Sequence, residues 1–222
     1  MRAARYFKAL AAAMAAAGVM AGGASAQTKS VKPAPSVSTF KDSRDSKIYK
    51  KVTIGGKTWM AENLNYNANG SRCYKNNADS CAKYGRLYNW ETAMNGASSS
   101  SSNPSRVRGV CPVGWHLPSD EEWDVLMTAV GGSSTAGTKL KARDGWYNNG
   151  NGDDNYGFAA LPGGGGSSGG DFGSAGDGGY WWSATEGDAY YAWYRGMYYI
   201  DEYVGRGSYD KSYLFSVRCV AD

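Results

Sequence analysis

Residues 47–66, KIYKKVTIGGKTWMAENLNY, alternate apolar and polar positions on either side of Gly55 and Gly56. A period of two interrupted by a two-residue glycine turn predicts a β-hairpin, so two strands open the folded domain near Ile48. The period then changes. In GRLYNWETAM, Leu87, Trp90 and Met94 fall on one helical face, and the polar run GASSSSSNPSR returns the chain to a loop. The clearest helix is LPSDEEWDVLMTAVGG, where Trp123, Leu126, Met127 and Val130 recur at i, i+3, i+4 and i+7. Ser119 and Glu122 form a capping box, Asp120, Glu121 and Glu122 fill the first turn, and Gly131 supplies the stop.

From Asp144 onward, Gly, Asn and aromatic residues replace helix formers, which predicts loops and short strands. The chain ends in LFSVRCV, whose Phe215, Val217 and Cys219 share one face. The stretch LPGGGGSSGGDFGSAGDGGYWWSAT is expected to be a long loop of the kind kept for a function. It lacks the lysine and the strand-to-helix context of a phosphate-binding loop.

The first residues follow a different logic. Arg2, Arg5 and Lys8 precede an Ala-rich apolar run ending in Ala24, Ser25 and Ala26, the pattern of a secretory signal peptide cleaved after Ala26. That run is shorter than the roughly 20 residues of a membrane span, and no later segment is apolar enough to be a second one. The expected organisation is a signal peptide over 1–26, a polar linker with Pro33 and Pro35 over 27–46, and one domain over 47–222. The destination is secreted, periplasmic or cell-surface in a bacterium.

Export changes the meaning of charge and cysteine. The chain carries 24 Lys and Arg against 20 Asp and Glu, and removing the leader takes three basic residues, so +4 falls to +1. Nucleic-acid binding needs a clustered basic excess, and none remains. The four cysteines, Cys73, Cys81, Cys111 and Cys219, are expected as disulfides in an oxidising compartment. Three pairings are open. The short spacing favours Cys73 with Cys81, leaving Cys111 to tie the middle of the domain to its end.

The chemistry of catalysis is poorly supplied. The single histidine, His116, stands directly before a helix cap and reads as structural. Glu121 with Glu122 and Asp153 with Asp154 are adjacent rather than facing across a cleft, so neither pair divides into acid and base. The cysteine spacing is wrong for zinc. In NNGNGDDN, Asn149, Asn151 and Asp153 offer alternating oxygens, but Asp154 replaces the glycine and Ala160 the glutamate of an EF-hand loop. Calcium at a site of another kind is the one cofactor left open beside an Asx-rich turn.

From Tyr180 to Tyr213 the chain holds nine of its 17 tyrosines and three of its eight tryptophans, interleaved with Gly, Ser and Asp. Tyrosine gives large contact area at low rotamer cost, and the same rings stack on sugars. The alternative is an aromatic core, but between Ile200 and Leu214 the segment carries no aliphatic partner except Val204. The expected contact residues are Asp188, Tyr190, Tyr191, Trp193, Tyr194, Tyr198, Tyr199, Asp201, Tyr203, Tyr209 and Tyr213, for an extracellular protein or glycan ligand.

The blocks FKDSRDSKIYKKVTIGGKTWMAENLNY, CYKNNADSCAKYGRLYNWETAM, RGVCPVGWHLPSDEEWDVL, YGFAALPGG and FSVRCV resemble the Fibrobacter succinogenes major paralogous domain family over nearly all of the mature chain. HLPSDEEW is also similar to a segment of the formylglycine-generating family. Both resemblances imply a C-type lectin-like α+β fold with two or so helices, short antiparallel strands and long Gly/Asn-rich loops. The enzyme's cysteine pair near the C-terminal core is not matched, since Cys219 is the one late cysteine. The resemblance therefore implies a binding scaffold rather than an enzyme.

Domains of this lectin-like class also serve as variable proteins of diversity-generating retroelements, in which adenines of Asn codons are mutated. The chain has 13 asparagines between Asn63 and Asn155 and none from Tyr156 onward. Such codons reach Tyr, Asp, Gly, Ser and Ile, which crowd the segment, although Glu202 is out of reach. The resemblance implies a fixed frame of Ala192, Trp193, Arg195, Met197, Val204, Arg206, Lys211 and Phe215. The diversified positions would be Gly187, Asp188, Tyr190, Tyr191, Tyr194, Gly196, Tyr198, Tyr199, Ile200, Asp201, Tyr203, Gly205, Gly207, Ser208, Tyr209, Asp210 and Tyr213.

Overall fold

The computed structural model describes residues 35–222, so the expected signal peptide lies outside the described residues. Strand β1 (Val37–Lys41) runs antiparallel to β2 (Ile48–Ile54), with Phe40 opposite Tyr49. The segment expected to end a linker therefore belongs to the domain. Phe40 stacks on Trp115 at 4.1 Å, and the turn that follows is closed by the buried Asp42, which accepts four bonds from Arg44 at 2.7 to 3.1 Å. These partners lie far away or in a turn, beyond what a five-residue alternation can signal.

The hairpin at Gly55 and Gly56 joins β2 to β3 (Lys57–Met60) as expected, with φ of 60° and 79°. A Cβ at Gly55 would also fall 2.6 Å from the Ala129 side chain, so both backbone angle and packing require glycine there. Helix α1 (Ala78–Tyr84) follows, and α2 covers Trp90–Met94 alone. Leu87 lies outside that helix because the Asn89 side chain caps it, accepting from Thr92 N at 2.8 Å, while Leu87 and Tyr88 bridge to Arg72 and Phe215.

After β4 (Trp115–His116), helix α3 (Asp120–Ala129) carries the expected capping box and buries Trp123, Leu126 and Met127. Helix α4 (Ser133–Leu140), like α1, was not signalled, and with them the described residues hold four α-helices. The glycine-rich stretch expected as a loop supplies strands instead: β5 (Gly163–Gly166), β6 (Phe172–Ala175) and the start of β7 (Gly178–Glu186). The last strands are β8 (Tyr191–Tyr198), β9 (Val204–Asp210) and β10 (Val220–Ala221).

The result is an α+β fold with two five-stranded sheets, ordered β1-β2-β3-β10-β4 and β6-β5-β7-β8-β9. One core gathers Trp59, Trp123, Leu126, Trp181, Met197 and Val204 between the sheets and α3. A second gathers Tyr88, Trp90, Trp115, Trp182, Phe215 and Val217. Both expected disulfides are present, Cys73 to Cys81 and Cys111 to Cys219. Arg218 is fully buried without a carboxylate in salt-bridge range among the described residues; it donates to Asn63 Oδ1 at 2.9 Å and to the carbonyls of Phe158 and Ala159, and burial pushes it down to about 9.

His116 is built into the frame, not into a cleft. Its ring lies between Glu122, 2.9 Å from Nε2, and Asp222, 2.7 Å from Nδ1, and Lys57 reaches Glu122 at 2.9 Å. Burial alone would lower the histidine, but the two carboxylates outweigh it and raise it above 6.5. Burial would raise Glu122, yet bonds from His116, Lys57 and Ser105 N take it from 4.5 down to about 2. The histidine contribution is full below 6.5 and is lost as pH rises through its raised value; the glutamate contribution is full above 4.5 and is lost as pH falls toward 2. Thermal unfolding across pH should therefore show the highest Tm between about 4.5 and 6.5, and His116→Gln should flatten the alkaline side of that profile.

Candidate functional site

Along β8 the side chains alternate, so Tyr191, Trp193, Arg195 and Met197 face one way and Ala192, Tyr194, Gly196 and Tyr198 the other. Of the first set, Trp193, Arg195 and Met197 face the helices, while Tyr191 at the strand end is exposed. Met197 packs with Trp181 and Val204, and the buried Arg195 pairs with Asp120 at 2.8 Å and Asp124 at 2.6 Å on α3. Arg206 reaches the same Asp120 at 2.7 Å and lies 3.5 Å over the Trp193 ring. Trp193, expected on the contact face, thus stands on the helix side under a guanidinium.

In the second set Ala192 is buried in the core, while Tyr194 and Tyr198 line a cleft of about 400 Å3 together with Tyr180 of β7, Tyr209 of β9, and Tyr213 and Phe215 beyond it. Glycines explain how so many rings fit. In register, Tyr194 stands opposite Gly207 and Tyr180 opposite Gly196. A Cβ at Gly207 would lie 2.9 Å from the Tyr194 ring, and one at Gly166 would lie 2.8 Å from Phe172. Each ring covers a strand position that has no side chain, the arrangement in which an aromatic compensates a sheet glycine. Burial and then Tyr180 raise the Tyr198 phenol, burial raises Tyr194, and a hydrogen bond with Tyr213 raises Tyr209.

The remaining expected residues sit on the two hairpin ends, at opposite ends of β8 and roughly 24 Å apart for an eight-residue strand. At one end Asp188 Oδ1 accepts from Tyr190 N at 2.7 Å and Tyr191 N at 2.8 Å, which leaves the Tyr190 ring 74% exposed. At the other, Asp201 Oδ1 accepts from Tyr203 N at 3.1 Å, Ile200 and Tyr203 are exposed, and Tyr199 meets the edge of Tyr147 at 5.3 Å. The single face expected from composition is therefore a cleft flanked by two separate tips.

Each tip is clamped through its main chain by a lysine. Lys211 donates to the carbonyls of Asp188 at 2.8 Å and Ala189 at 3.2 Å, and to Glu186 at 2.9 Å, while lying over Trp90. The buried Lys141 donates to the carbonyls of Tyr198 and Asp201, the latter at 2.6 Å, and lies 4.8 Å over Trp146. Burial lowers its amine, against the pull of Asp201 and Glu202. The backbone also closes in: a Cβ at Gly150 would fall 2.2 Å from Tyr199 O, and Gly137 N donates to Glu202 O at 2.7 Å. Carbonyls are the same whatever side chain the residue bears, so these clamps set no condition on the side chains presented.

Tyr180, Phe172, Asp171 and Lys141 belong to this site and were not anticipated. Tyr180 opens the aromatic run and was open to notice, whereas Lys141 lies 57 residues from Tyr198 and gives no local sign. In the Asn-rich turn, Asn151 Oδ1 is engaged by Trp146 N at 3.0 Å. Among the described residues no group of three or more His, Cys, Asp or Glu could hold a metal ion, and no helix is long and apolar enough to cross a membrane.

The fold and site define an α+β domain, braced by two disulfides, that carries exposed aromatic side chains on a buried frame. The chain belongs to the Fibrobacter succinogenes major domain family, whose profile matches residues 52–221. Comparison with curated proteins and with solved structures gives no match.

Proposed function

We propose that the protein is an exported or surface-displayed binding protein, with a C-type lectin-like scaffold, that recognises a macromolecular ligand through the Tyr180–Tyr213 region and performs no chemistry. One observation carries this reading. Of the positions reachable from Asn codons, Gly196 is buried and the others are exposed or half-buried, whereas Ala192, Arg195, Met197, Val204 and Phe215 of the inferred frame are buried. The partition made from codon chemistry follows the partition made by solvent except at Gly196, which is buried, at Arg206, which is exposed, and at Trp193 and Lys211, which are half-buried. The lysine clamps on main-chain carbonyls add support, since they allow side chains to vary on tips of constant shape.

The same partition supports, as part of this reading, diversification by a retroelement. Its test is the flanking DNA: a near-duplicate of the 3′ coding segment with AAC or AAT at the diversified codons, beside a reverse transcriptase, is the expected finding, and a flank without the duplicate would remove it. A carbohydrate-binding adhesion module is the second reading, favoured by the ring-lined cleft. It predicts retention on insoluble polysaccharide that is lost in Tyr198→Ala. A formylglycine-generating activity finds no support, because all four cysteines are held in disulfides.

A further inference from the structure

The cleft has a shape and a charge that specify more than an aromatic surface. Phe215 lies at its base, with the rings of Tyr180 and Tyr194 each at 5.1 Å, Tyr209 at 5.7 Å and Tyr213 at 6.4 Å. The walls stand nearly perpendicular to one another, 87° between Tyr194 and Tyr209 and 83° between Tyr209 and Tyr213. A sugar ring prefers one flat platform with polar side chains at its edges; perpendicular walls make a box instead. Aromatic faces are electronegative, and a box of them stabilises a cation approached from several sides.

Charge points the same way. Asp171 is the single charged residue lining the cleft, and it has no ion-pair partner among the described residues. Elsewhere the protein places its own cations over rings, at Tyr66, Tyr74, Tyr84, Trp90, Trp146, Trp193, Phe158 and Trp181, but among the described residues over none of the cleft rings. An anion would meet Asp171 and the ring faces, both repulsive. A primary ammonium would have to give up strongly held water for a cleft with one carboxylate, whereas a quaternary ammonium has no N–H to satisfy and little hydration to lose.

We propose that this cleft takes a quaternary ammonium group, seated on Phe215 between the faces of Tyr180, Tyr194, Tyr209 and Tyr213 with Asp171 on the wall. The inference rests on the cleft being a binding surface, and it names the ligand chemistry. The test is calorimetric titration of the mature chain with choline, with its uncharged isostere 3,3-dimethylbutanol and with methyl β-glucoside. Choline should bind roughly tenfold or more tighter than the isostere, a preference that Tyr198→Leu, on a half-exposed rim residue, should reduce with the circular dichroism unchanged.

Vesicles then separate the sources of the group. Retention on phosphatidylcholine but not on phosphatidylglycerol supports the inference with a lipid headgroup as the source, and choline binding without vesicle retention supports it with a free cation as the source. Equal binding of the isostere, preferential binding of the glucoside, or no binding of choline overturns it. The first two of these leave the aromatic binding surface standing, and the third leaves that surface to be tested on a glycan and protein array.

Discussion

Replacing Cys111 and Cys219 together by alanine should lower the unfolding free energy by about 4–5 kcal/mol, the largest single effect anticipated here. The bond joins positions 108 residues apart, so its loss releases nearly half of the chain in the unfolded state. That end is also held by main-chain bonds from Met60 N to Cys219 O and from Leu64 N to Val217 O, both at 2.9 Å, and by the buried Arg218, but its regular structure is short. Strand β10 is two residues long and pairs through Val220 with Trp59 and His116. Both cysteines are fully buried beside Val217 and Leu117, so the alanine pair also leaves a cavity. For a domain of this size the loss corresponds to a Tm lower by roughly 10–20 °C. The same change at Cys73 and Cys81, which lie 8 residues apart, should cost about half as much, and urea unfolding of the two variants gives the comparison.

Lys141→Met should have the second largest effect, and a more local one. Methionine has nearly the same length and keeps the contact with Trp146, but it leaves the carbonyls of Tyr198, Asp201 and Gly150 without their donor. Unsatisfied acceptors in a buried place cost about 2–3 kcal/mol here, partly offset because the amine no longer has to be desolvated. The damage should concentrate on the tip that carries Tyr199, Ile200, Asp201 and Tyr203. Hydrogen exchange is the measurement: amides of residues 198–204 should exchange at least tenfold faster, while those of α3 change little. A uniform acceleration across both would mean that Lys141 supports the whole core rather than the tip.

What was legible in the sequence depended on how local its cause was. The capping box of α3, the Gly55-Gly56 turn and the Cys73–Cys81 bond each bring together residues within a few positions, and each is found where expected. Strand β5 is four glycines, GGGG, which have no side chains to alternate, and its strand character comes from pairing with β6 and β7. Helix α4, SSTAGTKL, begins after Gly132 with no side-chain cap and carries a mid-helix glycine that Glu202 O requires, so packing rather than propensity makes it. Strand β1 depends on Trp115, far along the chain.

The site was legible in composition and not in geometry. Tyrosine and glycine crowd the segment because rings cover glycine positions on neighbouring strands, and that pairing is set by register, which the sequence of β8 alone does not state. The same register turns Trp193 toward α3 and Tyr194 away from it, although the two are adjacent. The separation of the tips follows from strand length, eight residues of β8 between two turns.

The central claim is that the exposed tip side chains Tyr190, Tyr191, Ile200 and Tyr203 face a ligand and contribute nothing to the core. A variant with Tyr190→Ser, Tyr191→Ser, Ile200→Ser and Tyr203→Ser tests it most directly, compared with the unmodified mature domain on a glycan and protein array and by thermal unfolding. The account predicts a Tm within about 2 °C of the parent and loss of the parent's array signal. A Tm lower by 10 °C or more, or an array signal that survives all four substitutions, would contradict it.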